Sequence, residues 1–206
     1  MGASSLSDVI GILQDRSEST ERRVEAATVL RGLKCRDAVG PLIEALAEGQ
    51  QELSWMCMSA LTAIGSRRGA RRLIQIGGGN HSLHARQEAI YTLWHLRELR
   101  AESLFIRVSS AVDAEEEYTR DMATEALGNT CLRQPSQRAL SQRLFDPSVS
   151  VRYAALCACS ILHLQPSYEY PGFLRKALEA KLSDPARVDD SRVIAELAAQ
   201  LLGRAC

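Results

Sequence analysis

The chain is poor in rings: aromatic residues make up 5% of it, while hydrophobic residues reach 46%. A core drawn from such a sequence is aliphatic and alanine-rich, filled by close approach rather than by large side chains. There is no excess of either charge, with 25 Lys and Arg against 25 Asp and Glu. That balance argues against a dedicated nucleic-acid binder, which carries a basic surplus. The 6 cysteines include no CxxC pair and no Cys/His group with zinc-ligand spacing. Scattered through Ala- and Leu-rich text, they suit small apolar packing residues in a reducing compartment. No apolar run is long enough to span a bilayer. The opening residues lack the basic and apolar parts of a leader, and Leu6 stands where a myristoylation signal needs Ser or Thr. A cytoplasmic protein without membrane contact is expected. HExxH, Gly-Lys-Ser/Thr and nucleophile-elbow patterns are all missing, so no catalytic residue, metal or cofactor is assigned.

What the chain has is repetition. Residues 151–164, VRYAALCACSILHL, read as a helix whose buried stripe holds Ala and Cys where a globular core would place Leu or Phe. Small residues at a helix contact let two backbones come close. The pattern Ala-x-x-x-Leu, often followed by Gly, recurs at Ala26–Leu30, Ala60–Ile64, Ala89–Leu93, Ala123–Leu127, Ala155–Cys159 and Ala198–Leu202. The interval is about thirty residues, longer only before Ala198, where the insertion QPSYEYPG intervenes. Such a period means a two-helix unit stacked in a row. Upstream of each pattern lies another apolar helix: LSDVIGIL, AVGPLIEALA, GARRLIQI, SLFIRVSSAV, SQRALSQRLF and FLRKALEAKL. Asp146-Pro147 and Asp184-Pro185 are stop-and-turn signals between them. Each second helix then lies between its partner and the helices of adjacent repeats, and its contact positions must be small. A Phe at Ala155 is expected to overpack it.

Three residues before the key alanine stand Arg23, Arg86, Arg120 and Arg152, with Cys57 and Ala195 in the other two repeats. The phrase Asp146-Pro-Ser-Val-Ser-Val-Arg152-Tyr-Ala-Ala-Leu resembles the HEAT repeat, in the short bacterial form also called PBS-lyase HEAT-like. So do Arg23-Val-Glu-Ala-Ala-Thr-Val-Leu30 and Arg120-Asp-Met-Ala-Thr-Glu-Ala-Leu-Gly128. The resemblance covers nearly the whole chain and implies an all-α, right-handed α–α superhelix (solenoid) of about six HEAT-like hairpins. The approximate repeats are 6–33, 38–65, 69–96, 101–129, 136–163 and 172–204, in one domain over 1–206. It also implies a structural ladder in which Arg23, Arg86, Arg120 and Arg152 bond acceptors of the neighbouring repeat. Asp146 is a local partner for Arg152. The alternative, that these arginines bind a ligand, stays open.

With the alanine as position zero, burial takes −4, −1, 0, +3, +4 and +7, which leaves −2, +2 and +6 for the concave surface of a solenoid. These rows hold Met58, Gln87, Asp121 and Tyr153, then Tyr91 and Glu125, then His95, with Trp94 beside them. Tyr and Trp are typical anchors of binding surfaces. These eight residues are the candidate partner-binding face; the bland alternative is that the tyrosines cover repeat seams. The run Arg67-Arg68-Gly-Ala-Arg71-Arg72 reads either as a phosphate clamp or as a solvated convex patch, the second being preferred. Glu115–Glu117 precedes a helix start, where carboxylates are favoured. Gly77–Gly79 reads as an inter-helix turn. Neither His81 nor His84 has metal-ligand company, and His163 stands alone. No His-Glu dipeptide occurs, so the di-iron HEAT-repeat hydroxylases lend no ligand set.

The leading expectation is a non-catalytic scaffold or adaptor that grips a helix or extended segment of another protein in its concave groove. An alternative, lent by the family resemblance, is a bilin lyase or lyase-chaperone-like subunit holding a tetrapyrrole. DNA binding, as in some HEAT-like glycosylases, ranks last because the face is acidic. Leu201, Leu202 and Cys206 suggest an incompletely covered last repeat and an end-to-end homodimer.

Overall fold

The computed structural model describes residues 5–111, 117–130, 133–163, 170–183, 192–201 and 203. Among them every regular element is helical. Chain contacts divide the molecule into two compact units, Met1–Glu98 and Leu99–Cys206.

The first unit contains three consecutive helix pairs. These are α1 (Leu6–Gln14) with α2 (Thr20–Gly32), α3 (Val39–Ala47) with α4 (Gln51–Ile64), and α5 (Ala70–Gly78) with α6 (Leu83–His95). Local chemistry sets their limits. Ser5 caps α1 in a reciprocal box with Asp8, and Ser19 and Ser82 accept from the first-turn amides of α2 and α6. Gly65 closes α4 in the left-handed region at φ 67°. Two glycines expected in a turn, Gly77 and Gly78, instead complete α5, and only Gly79 lies beyond it. The second unit repeats the scheme. It contains α7 (Glu102–Ser109) with α8 (Glu117–Thr130), α9 (Gln134–Arg143) with α10 (Val149–His163), and α11 (Gly172–Ser183) with α12 (Arg192–Leu201). The helix expected to run from Ser103 to Val112 stops at Ser109.

Within each unit like helices stack on like. The second helices form the series α2–α4–α6 in one unit and α8–α10–α12 in the other. This sandwiching explains the small residues. Ala60, Ala89, Ala123 and Ala155 have no solvent exposure, and Ala154, Ala158 and Cys159 extend the buried face of α10. A close backbone approach lies at Gly128 on α8. A Cβ built there would run into the backbone of Ala158 on α10, meeting the carbonyl oxygen at 2.6 Å. Position +1, absent from the expected buried set, is buried in the first five repeats, as Ala27, Leu61, Ile90, Thr124 and Leu156, whereas Ala199 in the sixth is half-buried. The backbone of Ala198 falls within α12, but its side chain is outside the description, as are Leu202, Cys206, Asp184-Pro185, Glu115 and Glu116. Leu201, expected at an open end, is 6% exposed and packs with Leu156, Leu174, Leu178 and Tyr170. The Tyr170 hydroxyl donates to the Cys159 carbonyl at 2.7 Å, so Tyr170, just before α11, is tied to α10.

Candidate functional site

Three of the register arginines, Arg23, Arg120 and Arg152, bond the turns between paired helices. Arg23 on α2 is buried. Its Nη1 and Nη2 donate to the two Glu48 oxygens at 2.8 and 2.9 Å, and its Nε donates to the Leu13 carbonyl at 2.9 Å. Glu48 follows α3, so the fork joins one repeat to the next. These hydrogen bonds hold the Glu48 carboxyl below the usual carboxylate range. In the second unit Arg120 on α8 reaches Asp146, between α9 and α10, at 3.2 Å. Arg143 takes the other Asp146 oxygen at 3.1 Å, and the Ser148 amide donates to the first at 3.0 Å. Arg152 meets Asp146, its expected local partner, through the backbone. It donates to the backbone carbonyls of Asp146 and Pro147 at 2.8 and 2.9 Å, because the Asp146 carboxylate is already engaged. Arg86 occupies the same register on α6 and is half-buried.

The −2 and +2 positions have a different character. Met58, placed on this face by its register, is 7% exposed and belongs to the core of the first unit. It offers little surface. Gln87, Tyr91 and Trp94 on α6 are half-buried, and His95 is exposed. Three of them form an aromatic group in one helical turn. The Tyr91 and His95 rings stack with centroids 3.9 Å apart, and Trp94 meets them edge-on at 5.7 and 4.7 Å. His95 Nδ1 lies 3.1 Å from the Tyr91 carbonyl, which fixes the imidazole against the helix end.

In the second unit, α8 presents Asp121 and Glu125 one turn apart, both half-buried. On α10 Tyr153 is 44% exposed and hydrogen-bonds the Cys157 side chain. The two pairs lie within electrostatic range of each other: the Tyr153 pKa is raised first by Cys157 and least by Glu125, and that of Cys157 first by burial and then by both acids. Asp121 is pushed up to about 6, first by burial and then by Glu125 and Glu117. Partial desolvation of a carboxylate disfavours its charged form unless a cation or donor compensates it. Cys57 and Cys159 are pushed by burial to about 12, which removes them as nucleophiles.

Other sequence features are absorbed by packing. Arg72 forks onto Glu44 at 3.0 Å, and Arg67 donates to the Leu96 carbonyl at 3.1 Å, so the basic run is partly engaged internally. Glu117 begins α8 and accepts from Ser148 and Ser150. The His163 side chain lies outside the described residues. Among the described residues no group of His, Cys, Asp and Glu is arranged to hold a metal ion, and no helix is long and apolar enough to cross a membrane. Sequence reasoning missed Trp55, which lies on α4 outside the counted rows and is 51% exposed. The signal was available, since Trp55 stands five residues before Ala60 and so on the same side of the helix as −2 and +2.

No protein-family description matches the sequence, and no curated protein does. Solved structures do match. The complex of CpcE and CpcF of phycocyanin lyase from Nostoc sp. PCC7120 aligns with TM-score 0.60 at 20% identity, over 80% of this chain and 98% of that one. A designed armadillo repeat protein in complex with the peptide (KR)4 aligns with TM-score 0.60 at 15% identity, over 97% and 100%. A second designed armadillo repeat protein gives 0.60 at 15% identity over 97% and 99%. At these identities the likeness shows the fold alone: an all-α superhelical repeat of the HEAT and armadillo type.

Proposed function

We propose that the chain is a non-catalytic scaffold that binds a segment of another protein along the −2 and +2 rows of its second helices. One observation carries this reading. Positions not consumed by helix packing hold a stacked Tyr91–His95 pair with Trp94 in one unit, and Tyr153 beside two half-desolvated carboxylates in the other. A merely solvated face would carry Lys and Glu there instead. Aromatic anchors within a polar rim, on a scaffold that moves little, are the usual design of a segment-binding surface. Similar folds bind a peptide in the designed armadillo case and a second subunit in the lyase case, which supports a protein partner. The acids of α8 give the second unit a preference for a segment carrying Lys or Arg.

The test is affinity capture from the native host with the full chain and with Tyr91→Ala and Tyr153→Ala, followed by titration of the captured protein against all three. Loss of one specific partner, about tenfold or more weaker binding in both variants at unchanged helix content, supports the reading. Capture that ignores both substitutions removes it. A bilin titration belongs in the same experiment: a shifted, saturable tetrapyrrole absorbance would replace the scaffold with the lyase-like alternative.

A further inference from the structure

A cavity of about 480 Å³ opens in the first unit between the N-terminal halves of α4 and α6. Gln51, Glu52 and Trp55 line it from α4; His84, Gln87 and Glu88 line it from α6. Only Gln87 belongs to the rows described above. Trp55 leaves half its surface to solvent at this site. Glu88 is half-buried, and burial alone raises its pKa. Among the described residues its carboxylate has neither a hydrogen bond nor an ion pair, whereas Glu44 and Glu48 in the same unit are both matched by arginines. A desolvated, unmatched carboxylate beside an open indole face is costly in the free protein. A cation removes that cost.

We propose that this cavity is a binding pocket for the guanidinium group of an arginine side chain, which would stack on Trp55 and fork onto Glu88. The chemistry selects guanidinium over other cations. It is planar, so it stacks on an indole face, and its paired donors match a carboxylate. It is also weakly hydrated, so entering a half-desolvated site costs it less than it costs an ammonium. Glu52 at the exposed rim adds a second negative charge that steers the cation inward. Gln51 and Gln87 supply amide oxygens for the remaining N–H groups. A volume near 480 Å³ lies within the range of small-ligand pockets and admits the whole side chain with its flanking backbone.

This pocket deepens the scaffold reading by giving the partner segment a residue, and rests on it only for the source of the arginine. The experiment reads the pocket by itself. The sequence holds 2 tryptophans, so the full chain carrying Trp94→Phe leaves Trp55 as the sole indole. Its fluorescence is followed while N-acetyl-arginine amide is added, with N-acetyl-citrulline amide as the neutral isostere. A saturable response to the arginine compound, about tenfold weaker in Glu88→Gln and absent with citrulline, is expected. Glu88→Gln replaces a desolvated charge with a neutral group, so the variant keeps its fold, checked by circular dichroism. An equal response to citrulline, a linear response without saturation, or unchanged affinity in Glu88→Gln overturns the proposal. Its failure leaves the partner-segment reading standing, and a fruitless capture experiment leaves the titration decisive.

Discussion

The α6 of the first unit and the α8 of the second share a register and almost nothing else on their open sides. Both bury the zero, +1 and +4 positions: Ala89, Ile90 and Leu93 in one, Ala123, Thr124 and Leu127 in the other. At −2 and +2, however, α6 carries Gln87 and Tyr91 where α8 carries Asp121 and Glu125. Position +5 belongs to the open side only in α6, where Trp94 is half-buried; in α8 it is Gly128, buried against α10. Helix stacking dictates the inward residues and is indifferent to the rest. A repeat of this kind therefore fixes its architecture with one half of each helix and varies its chemistry with the other.

The sharpest way to test that division is to break the inward half in each unit and compare. Arg120 and Asp146 are both almost fully buried, at 6% and 2% side-chain exposure, whereas Glu48, the partner of Arg23, keeps 16%. Removing one member of a buried pair leaves a charge without a partner, at about 3–5 kcal/mol when nothing else compensates. Arg143 and the Ser148 amide stay with Asp146, so Arg120→Met is expected to cost about 2–3 kcal/mol. Arg23→Met is expected to cost less, about 1–2 kcal/mol, because water reaches Glu48. Denaturant midpoints of the two variants check the order. Equal losses would mean that burial does not set the strength of these forks.

Next in size is Gly128→Ala. Helix propensity alone favours alanine by about 1 kcal/mol. The new methyl group, though, would strike the backbone of Ala158, which cannot rotate away as a side chain tip could. Overpacking of this sort costs about 1–3 kcal/mol, so the net sign is destabilising. The loss should appear in hydrogen exchange of α8 and α10. A stabilised variant would show that the two helices separate easily.

The open half of the helices is tested by pH. Both units hold a desolvated carboxylate, Glu88 on α6 and Asp121 on α8, the latter near 6. Because folding raises the Asp121 pKa, the folded chain binds this proton more tightly than the unfolded chain does. Stability from this group is greatest below about pH 4 and declines as pH rises through about 6. In Asp121→Asn the fall in melting temperature between pH 5 and pH 7 is expected to shrink. Burial raises the Glu88 pKa too, so Glu88→Gln should lessen the loss of stability as pH rises above the ordinary carboxylate range. A slope unaltered in both variants would show that neither carboxylate is desolvated in solution. Where Asp121 faces a basic segment, binding weakens as pH drops through the same range.

The inward half was legible in the sequence, and the reason is physical. Close stacking admits only small residues, so Ala60, Ala89, Ala123 and Ala155 recur at the helix-pair interval and announce the fold. The +1 position escaped because its occupants, Ala27 through Leu156, vary in size and polarity while remaining buried. Met58 was misplaced for a related reason. The register predicts exposure for an average repeat, whereas Met58 on α4 is 7% exposed, and a flexible thioether adapts to such a buried place. Gln87, Tyr91 and Asp121 could be named as open-row residues, but the stacking of Tyr91 on His95 and the desolvation of Asp121 depend on three-dimensional neighbours. Trp55 and Glu88 form one cavity from different helices, and no spacing within either helix reveals that.

The smallest effect concerns how the helices end, and it refines the contrast between repeats. A glycine shortly after Leu30 suggests a helix stop, yet Gly32 is the last residue of α2 and the left-handed residue is Lys34, at φ 48°. Arg97 does the same after α6, also at φ 48°. In both cases the hydrogen bonds are those of a Schellman turn: Cys35 to Leu30 and Lys34 to Arg31, Glu98 to Leu93 and Arg97 to Trp94. Only α4 among the three second helices of this unit places a glycine, Gly65, in the left-handed conformation. A side chain there costs about 1 kcal/mol relative to glycine. Lys34→Gly and Arg97→Gly are each expected to raise stability by somewhat less than that, because glycine also gains freedom in the unfolded chain. Gly65→Ala is expected to lower stability by a comparable amount. Thermal melts of the three single variants would show opposite signs if the turn geometry, and not the identity of the residue before it, decides where these helices stop.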